Sequence, residues 1–367
     1  MSSNFLKTLR IICRIEQDNT SYRELIEFFY GETPPEDNNF LRDDYTSYIE
    51  NVTKFGSNKK NVVLFSIIVP TYNRRDLLLK TVNAVIGQKN ISLDEFEIVI
   101  IDNGSKDKTE KAVEDFADQN RQTSMVYIKL KKNYGADLAR NVAVLNSQGN
   151  LLAFTDDDCI VPPDWLFEFK RELEANPEIA GVGGFKEPWP IKPPLDIYHR
   201  FTMWKHFYRT HVRTKNFDIL NNQCGLTANV CYRREIFEKL GGFNPYFKHV
   251  GFMEFKIRAR KLGLKLLYEP KMVKHFADFS LGIHIKKCLL QGLDWHFLYL
   301  LHPDIRQNPD FLFFLKRTIN DSKIIFTSRS QPPLFSKSIP DMVRFSFVSI
   351  VTNFFLWFGK YWLVAFG

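Results

Sequence analysis

The chain has 367 residues, 44% hydrophobic and 25% charged, an ordinary globular composition with room for one large domain or two smaller ones and with no repeat or low-complexity tract. A formal net charge of +8 suits an acidic partner such as a nucleotide or an anionic lipid surface, while the lack of Lys/Arg runs interleaved with aromatics argues against nucleic acid. The five cysteines are odd in number and contain no C-x-x-C pair, so they read as reduced thiols of a cytosolic chain rather than as a disulfide framework or a zinc site.

Residues 1–62 read as a region apart. "LKTLRIICRI" and "YRELIEFFYG" have the pattern of short amphipathic helices, and the polar, turn-rich stretch after them reads as a linker or loosely attached arm. The first residues lack an apolar core followed by small residues, which makes them a poor signal peptide.

A different pattern begins at Val62. "VVLFSIIVP" is a continuous apolar run stopped by Pro70, as expected of a strand buried on both faces. "RRDLLLKTVNAVIGQ" has helical periodicity, and "FEIVIIDNG" is a second buried strand ending at Asp102. "DKTEKAVEDFADQ" reads as a helix with Asp107 and Glu110 set as a capping box. "MVYIKL", "GADLARNVAVLNSQ" and "NLLAFTDDD" continue as strand, helix and strand. Such alternation specifies a Rossmann-like, mainly parallel sheet with helices on both faces. Ligands of open α/β sheets bind beyond the carboxyl ends of the strands. The polar residues there are Thr71, Tyr72 and Asn73, then Asp102 and Asn103, then Asp156, Asp157 and Asp158.

Residues 283–367 read as a helical C-terminal extension. Arg344 and Lys360 bracket an uncharged run of 15 residues, short of the roughly 20 that span a bilayer. Its Phe and Trp content suits the headgroup interface, so 342–367 is expected either to meet a membrane surface or to be a buried or dimerising helix.

The aspartate triplet carries the chemistry. A carboxylate cluster at a strand end is a place for a hard divalent cation, Mg²⁺ or Mn²⁺, which fills its other positions with water and phosphate oxygens. Strand alternation sets Asp156 and Asp158 on one side and Asp157 on the other. Asp102 is placed to accept from ribose hydroxyls or a base N–H, and Arg140 to neutralise phosphate. The absence of both G-x-G-x-x-G and G-x-x-x-x-G-K-[ST] argues against NAD and a P-loop.

Six segments together resemble a family 2 glycosyltransferase of the GT-A fold. They are "SIIVPTYNR" (66–74), "VIIDNGSKDKT" (99–109), "NYGADLARN" (133–141), "FTDDDCIVPPDWL" (154–166), "TANVCYRREIFEKLGGFNP" (227–245) and "EPKMVKH" (269–275). The resemblance covers about residues 62–300 and implies a GT-A domain over 63–282. It implies that Pro70, Thr71 and Tyr72 line the nucleotide pocket, that Asp102 bonds the base, and that Arg140, Asp156 and Asp157 face the nucleotide. Asp156 and Asp158 would form the D-x-D metal site, which His275 completes, and Asn229, Arg233 and Arg234 would lie on the acceptor side. The implied reaction is a metal-dependent, inverting transfer from a UDP-sugar to a saccharide or lipid-linked acceptor, in glycan or polysaccharide synthesis at the cytoplasmic face of a membrane.

One departure stands out. Relatives present an acidic pair just before an "EFxxRxRxxG" segment, and its aspartate is the base. Aligned on Glu254 and Arg258, "HVGFMEFKIRARKLG" puts Gly251 and Phe252 in that place. Glu254 or His249 would then take over as base, unless Glu254 simply pairs with Arg258 one turn on. The alternative is a protein that binds a nucleotide-sugar as a silent partner of another enzyme.

Overall fold

The computed structural model describes residues 22–31, 34–35, 37–41, 43–56, 63–190, 227–277, 281–304, 315–319 and 339–366. The apolar runs form the strands expected of them: β2 (Phe65–Thr71), β3 (Phe96–Asp102), β4 (Ser124–Leu130) and β5 (Leu151–Phe154). These four lie side by side and parallel in the order β4-β3-β2-β5. Pro70 is tolerated in this interior because of where β5 stops. The β2–β5 register ends at Ile68↔Phe154, and the Ile68 carbonyl faces that side by accepting from Thr155 N. Two residues on, the missing N–H of Pro70 points the same way, past the end of the ladder.

Alternate residues of β2 feed two cores. Phe65, Ile67 and Val69 pack against α2 (Arg75–Ile86), α3 (Thr109–Gln119) and α5 (Trp165–Ala175). Ile68 faces α4 (Ala136–Leu145), α6 (Arg234–Lys239) and α7 (Gly251–Lys261) on the other side. Part of the phenylalanine content is spent there: Phe154, Phe237, Phe243 and Phe255 form one aromatic cluster with Tyr232, with centroids 5.0–6.1 Å apart.

The sheet is larger and more mixed than the mainly parallel one expected. Among the described residues it has nine strands, with β8 (Val230–Arg233), β7 (Ile179–Pro190), β9 (Lys265–Ala277) and β6 (Cys159–Ile160) following β5 in that spatial order. β8 runs antiparallel to both β5 and β7, β7 and β9 are parallel, and β6 closes the edge antiparallel to β9.

Residues 1–62 are not simply a loose arm. α1 (Tyr22–Tyr30) packs Tyr22 and Ile26 against Phe247, Val250 and Phe297. β1 (Ile49–Phe55) pairs antiparallel with β4 as the other edge of the sheet. "LKTLRIICRI" lies outside the described residues. The expected capping box on α3 is also corrected. Lys108 is the N-cap with a left-handed φ of 63° and no side-chain cap. Asp107 accepts instead from Arg75 N, and Glu110 pairs with Lys129 at 3.0 Å. A capping box does form between Ser92 and Glu95, at the short turn leading into β3.

α8 (Leu281–Leu301) and α9 (Ile339–Phe366) form the C-terminal extension and pack on each other, with His284 Nε2 2.8 Å from Thr352 Oγ1. Val343, Phe347, Ile350 and Phe354 lie at helical spacing along one exposed face of α9. Among the described residues no helix is long and apolar enough to cross a membrane.

Candidate active site

The aspartate triplet lies past the end of β5, in a turn rather than in the strand. Strand alternation therefore does not orient the three side chains; individual partners do. Asp157 is drawn back to β2 and α2: Thr71 Oγ1 at the end of β2 donates to its Oδ2 at 2.8 Å, and Thr81 Oγ1 on α2 donates to its carbonyl at 3.0 Å. Asp156 accepts from Arg140 Nη2 at 2.7 Å. Asp158 lies between Arg74, whose Nη1 is 2.6 Å from Oδ2, and His275, whose Nε2 is 3.3 Å from Oδ1. Arg74 also reaches Asp157 Oδ1 at 3.2 Å, so one guanidinium links both carboxylates.

His275 arrives by sheet pairing. β6 follows the triplet directly, and its Cys159 is the register partner of His275 on β9. Phe276 N donates to the Asp158 carbonyl at 2.7 Å, which locks that register. The two residues are separated by more than a hundred positions in sequence, yet the two-residue strand brings them into one cluster. One ligand atom each from Asp156, Asp158, Cys159 and His275 lie within 4.8 Å of one another.

The electrostatics suit a divalent cation. Burial and the charge of Asp156 push the Asp158 carboxyl up to about 7 against the pull of Arg74 and Lys186, the behaviour of buried, crowded carboxylates. Asp156 goes the other way: burial raises it, but Arg140 and Lys186 outweigh that and hold it below the usual carboxylate range. Two carboxylates and an imidazole fit Mg²⁺ or Mn²⁺. Burial keeps the Cys159 thiol protonated, leaving the oxygens and the imidazole as the apt donors.

Two lysines join the cluster that the sequence did not single out. Lys186, on β7, has Nζ 3.5 Å from His275 Nε2. Lys287, on α8, is pushed down to about 8 by burial and by Lys186, while Asp158 and Asp156 work against the shift. A lysine pair inside an otherwise apolar helix was the available signal for Lys287. For Lys186 there was none, because its partners come from distant strands.

Other expected site residues have different positions. Asp102 is buried and committed, with Oδ2 accepting from Tyr127 Oη at 2.5 Å and Oδ1 from Ser105 N at 2.7 Å. Pro70 is interior, and Tyr72 is exposed at the mouth. Asn229 is a correction: it is fully buried and accepts from Trp165 Nε1 at 2.8 Å, so it faces the core instead of an acceptor. Arg234 is another. β8 runs antiparallel to β5, so the chain moves away from the triplet between Asn229 and Arg234. Arg234 ends at the opposite end of the strands, donating to Gly149 O at 2.7 Å and Ser147 Oγ at 2.7 Å. Arg233 likewise donates to Ile179 O at 2.9 Å.

Glu254 is a third correction. It is fully buried, its oxygens take Arg258 Nε at 2.7 Å and Nη2 at 2.8 Å, and His302 lies 3.4 Å from Oɛ1. Burial would raise this carboxyl, but Arg258 and His302 hold it below the usual range. Such a group is a poor proton acceptor with no open approach. His249 is half-buried, and burial together with Lys287, Lys186 and Lys248 pushes it down to about 4.

A carboxylate and imidazole cluster with several cations around it lies at the carboxyl ends of parallel strands, where open α/β sheets bind their ligands. Residues 66–241, just under half of the chain, match the family model described as Glycosyl transferase family 2, and this matched segment supports an enzyme of that kind. Similar curated proteins include Glycosyltransferase AglE of Haloferax volcanii, 26% identical over 228 residues that cover 60% of this chain and 69% of that one. A second is Glucosyl-dolichyl phosphate glucuronosyltransferase of the same organism, 25% identical over 65% of this chain and 78% of its own. Among solved structures, the mannosyltransferase PcManGT of Pyrobaculum calidifontis, in complex with GDP-Man and Mn²⁺, superposes with a TM-score of 0.51. It is 17% identical over 80% of this chain and 88% of that one, which shows the shared GT-A fold.

Proposed function

We propose that the protein is a metal-dependent, inverting glycosyltransferase that moves a sugar from a UDP-sugar to a saccharide or lipid-linked acceptor in glycan synthesis. The observation that carries the reading is the convergence of Asp156, Asp158 and His275 within one ligand sphere. Asp156, Asp158 and His275 would hold Mg²⁺ or Mn²⁺, which neutralises charge on the leaving diphosphate. Lys186 and Lys287, whose charges act on the same carboxylates, would add positive charge for the diphosphate, and Arg140 keeps a buried Nε without a partner. Tyr72, exposed past the end of β2, would meet the base end of the donor, with Thr71 and Asp102 buried behind it. A lipid-linked acceptor is supported by the likeness to Glucosyl-dolichyl phosphate glucuronosyltransferase and by the exposed apolar face of α9. That face suits the cytoplasmic surface of a membrane, with +8 net charge favouring anionic lipid.

The missing acidic pair at Gly251 and Phe252 favours a second reading, a silent nucleotide-sugar-binding partner. The test is release of nucleoside diphosphate from UDP-glucose, UDP-N-acetylglucosamine, UDP-glucuronate and GDP-mannose with Mn²⁺. Turnover that Asp158→Asn abolishes supports transfer. UDP binding with no turnover of any donor supports the silent reading, and neither binding nor turnover overturns both.

A further inference from the structure

Gly251 opens α7 at the place where the family resemblance implies the first of two acidic residues. Its backbone needs no glycine, because its φ is not left-handed. Space is what needs it. A Cβ there would collide with Asp137 Oδ2 and lie 3.1 Å from Asp137 Cγ. The space that a side chain at position 251 would occupy is filled by a carboxylate from α4.

We propose that Asp137 is the catalytic base, supplied from α4 in place of the acidic pair lost at Gly251 and Phe252. The inference rests on the transfer reading above. Three features support it. Asp137 Oδ1 accepts from Arg140 Nη1 at 2.7 Å, and the same guanidinium donates to Asp156 at 2.7 Å. The carboxylate is thereby held one side chain away from the metal-site aspartates. Asp137 Oδ2 is the oxygen turned toward Gly251. The segment that presents Gly251 is itself fixed by a carboxylate, since Asp294 Oδ2 on α8 accepts from the backbone N–H of Lys248, His249 and Val250 at 2.9, 2.5 and 3.1 Å. Asp294 is a positioning residue in this scheme.

In the step, the acceptor O–H proton passes to Asp137 Oδ2 as the acceptor oxygen bonds to the anomeric carbon. The bond from that carbon to the diphosphate oxygen breaks, and its electron pair leaves with the nucleoside diphosphate. Burial raises the Asp137 carboxyl above its ordinary range against the pull of Arg140, which makes it a better proton acceptor than Glu254.

The experiment uses the full chain with Mn²⁺ and whichever donor of the panel it consumes fastest. Asp137→Asn is expected to lower kcat about 10²–10⁴-fold, to leave UDP affinity and Tm near those of the parent, and to remove the acidic limb of the pH profile. The double variant Asp137→Ser with Gly251→Asp returns a carboxylate to α7 and is expected to recover at least about tenfold over Asp137→Asn. The inference is overturned if Asp137→Asn keeps kcat within about threefold of the parent. It is equally overturned if the loss is matched by weaker UDP binding with no recovery in the double variant, which would leave Asp137 as a holder of Arg140. No donor consumption by the parent chain overturns the transfer reading and the base with it, whereas an active parent with unaffected variants overturns the base alone.

Discussion

Arg258 grips Glu254 with two nitrogens from one turn along the same helix, at 2.7 and 2.8 Å, and donates its other contacts to the carbonyls of Leu240 and Gly242. The pair therefore ties α7 to the turn after α6 and has no part left for a substrate. Breaking a buried pair leaves a charge uncompensated. Glu254→Gln is expected to cost about 3–5 kcal/mol in urea denaturation, with UDP binding retained by the folded fraction.

Asp158 titrates near 7 in the absence of a cation. A metal must displace that proton, so Mn²⁺ affinity should rise about tenfold per unit as pH increases toward 7, then level off. Calorimetry between about pH 5 and 8 reads this directly, with proton release on binding. Stability of the metal-free protein runs the other way. The folded state holds a proton that the unfolded chain gives up near the ordinary carboxylate pKa, so stability falls as pH rises from about 4 through about 7. Asp158→Asn should flatten that fall and abolish the Mn²⁺ signal.

Lys287 is pushed down to about 8, so it loses its charge at mildly alkaline pH. A diphosphate beside it favours the charged form. UDP binding should therefore weaken as pH rises above about 8, and Lys287→Met should remove that dependence while lowering affinity throughout. Isothermal titration of UDP across this range is the check.

The face of α9 formed by Val343, Phe347, Ile350 and Phe354 should partition into lipid. Phe347→Ser with Phe354→Ser is expected to reduce co-sedimentation with anionic vesicles at least about tenfold, with donor turnover in solution unchanged. Binding of the parent should also fall as salt is raised.

The parallel strands were legible because each is a short apolar run buried on both faces and ended by polar residues, as in "FSIIVPT" and "FEIVIID". The D-x-D turn was legible for the same reason, since it follows such a run. Residues whose role depends on antiparallel partners were not. Nothing local in "TANVCYRRE" tells that β8 turns back along β5 and carries Arg234 to the far end of the strands. β1 was hidden by its polar composition: as an edge strand it faces solvent along much of its length and shows no apolar run. Asp137 sat unremarked inside "GADLARN", and only the empty Cβ position of Gly251 gave it meaning.

β1 carries one more consequence, for how the protein would behave when shortened. It pairs with β4 along Ile49↔Leu130 to Phe55↔Met125. A chain begun at Val63 would keep every residue of the proposed site, yet would leave the "SMVYIKL" strand as a bare edge with open amides and carbonyls. Such an edge recruits other chains. The polar segment ahead of the enzyme domain thus doubles as a shield against self-association, and its removal should be read first in light scattering and only afterwards in activity.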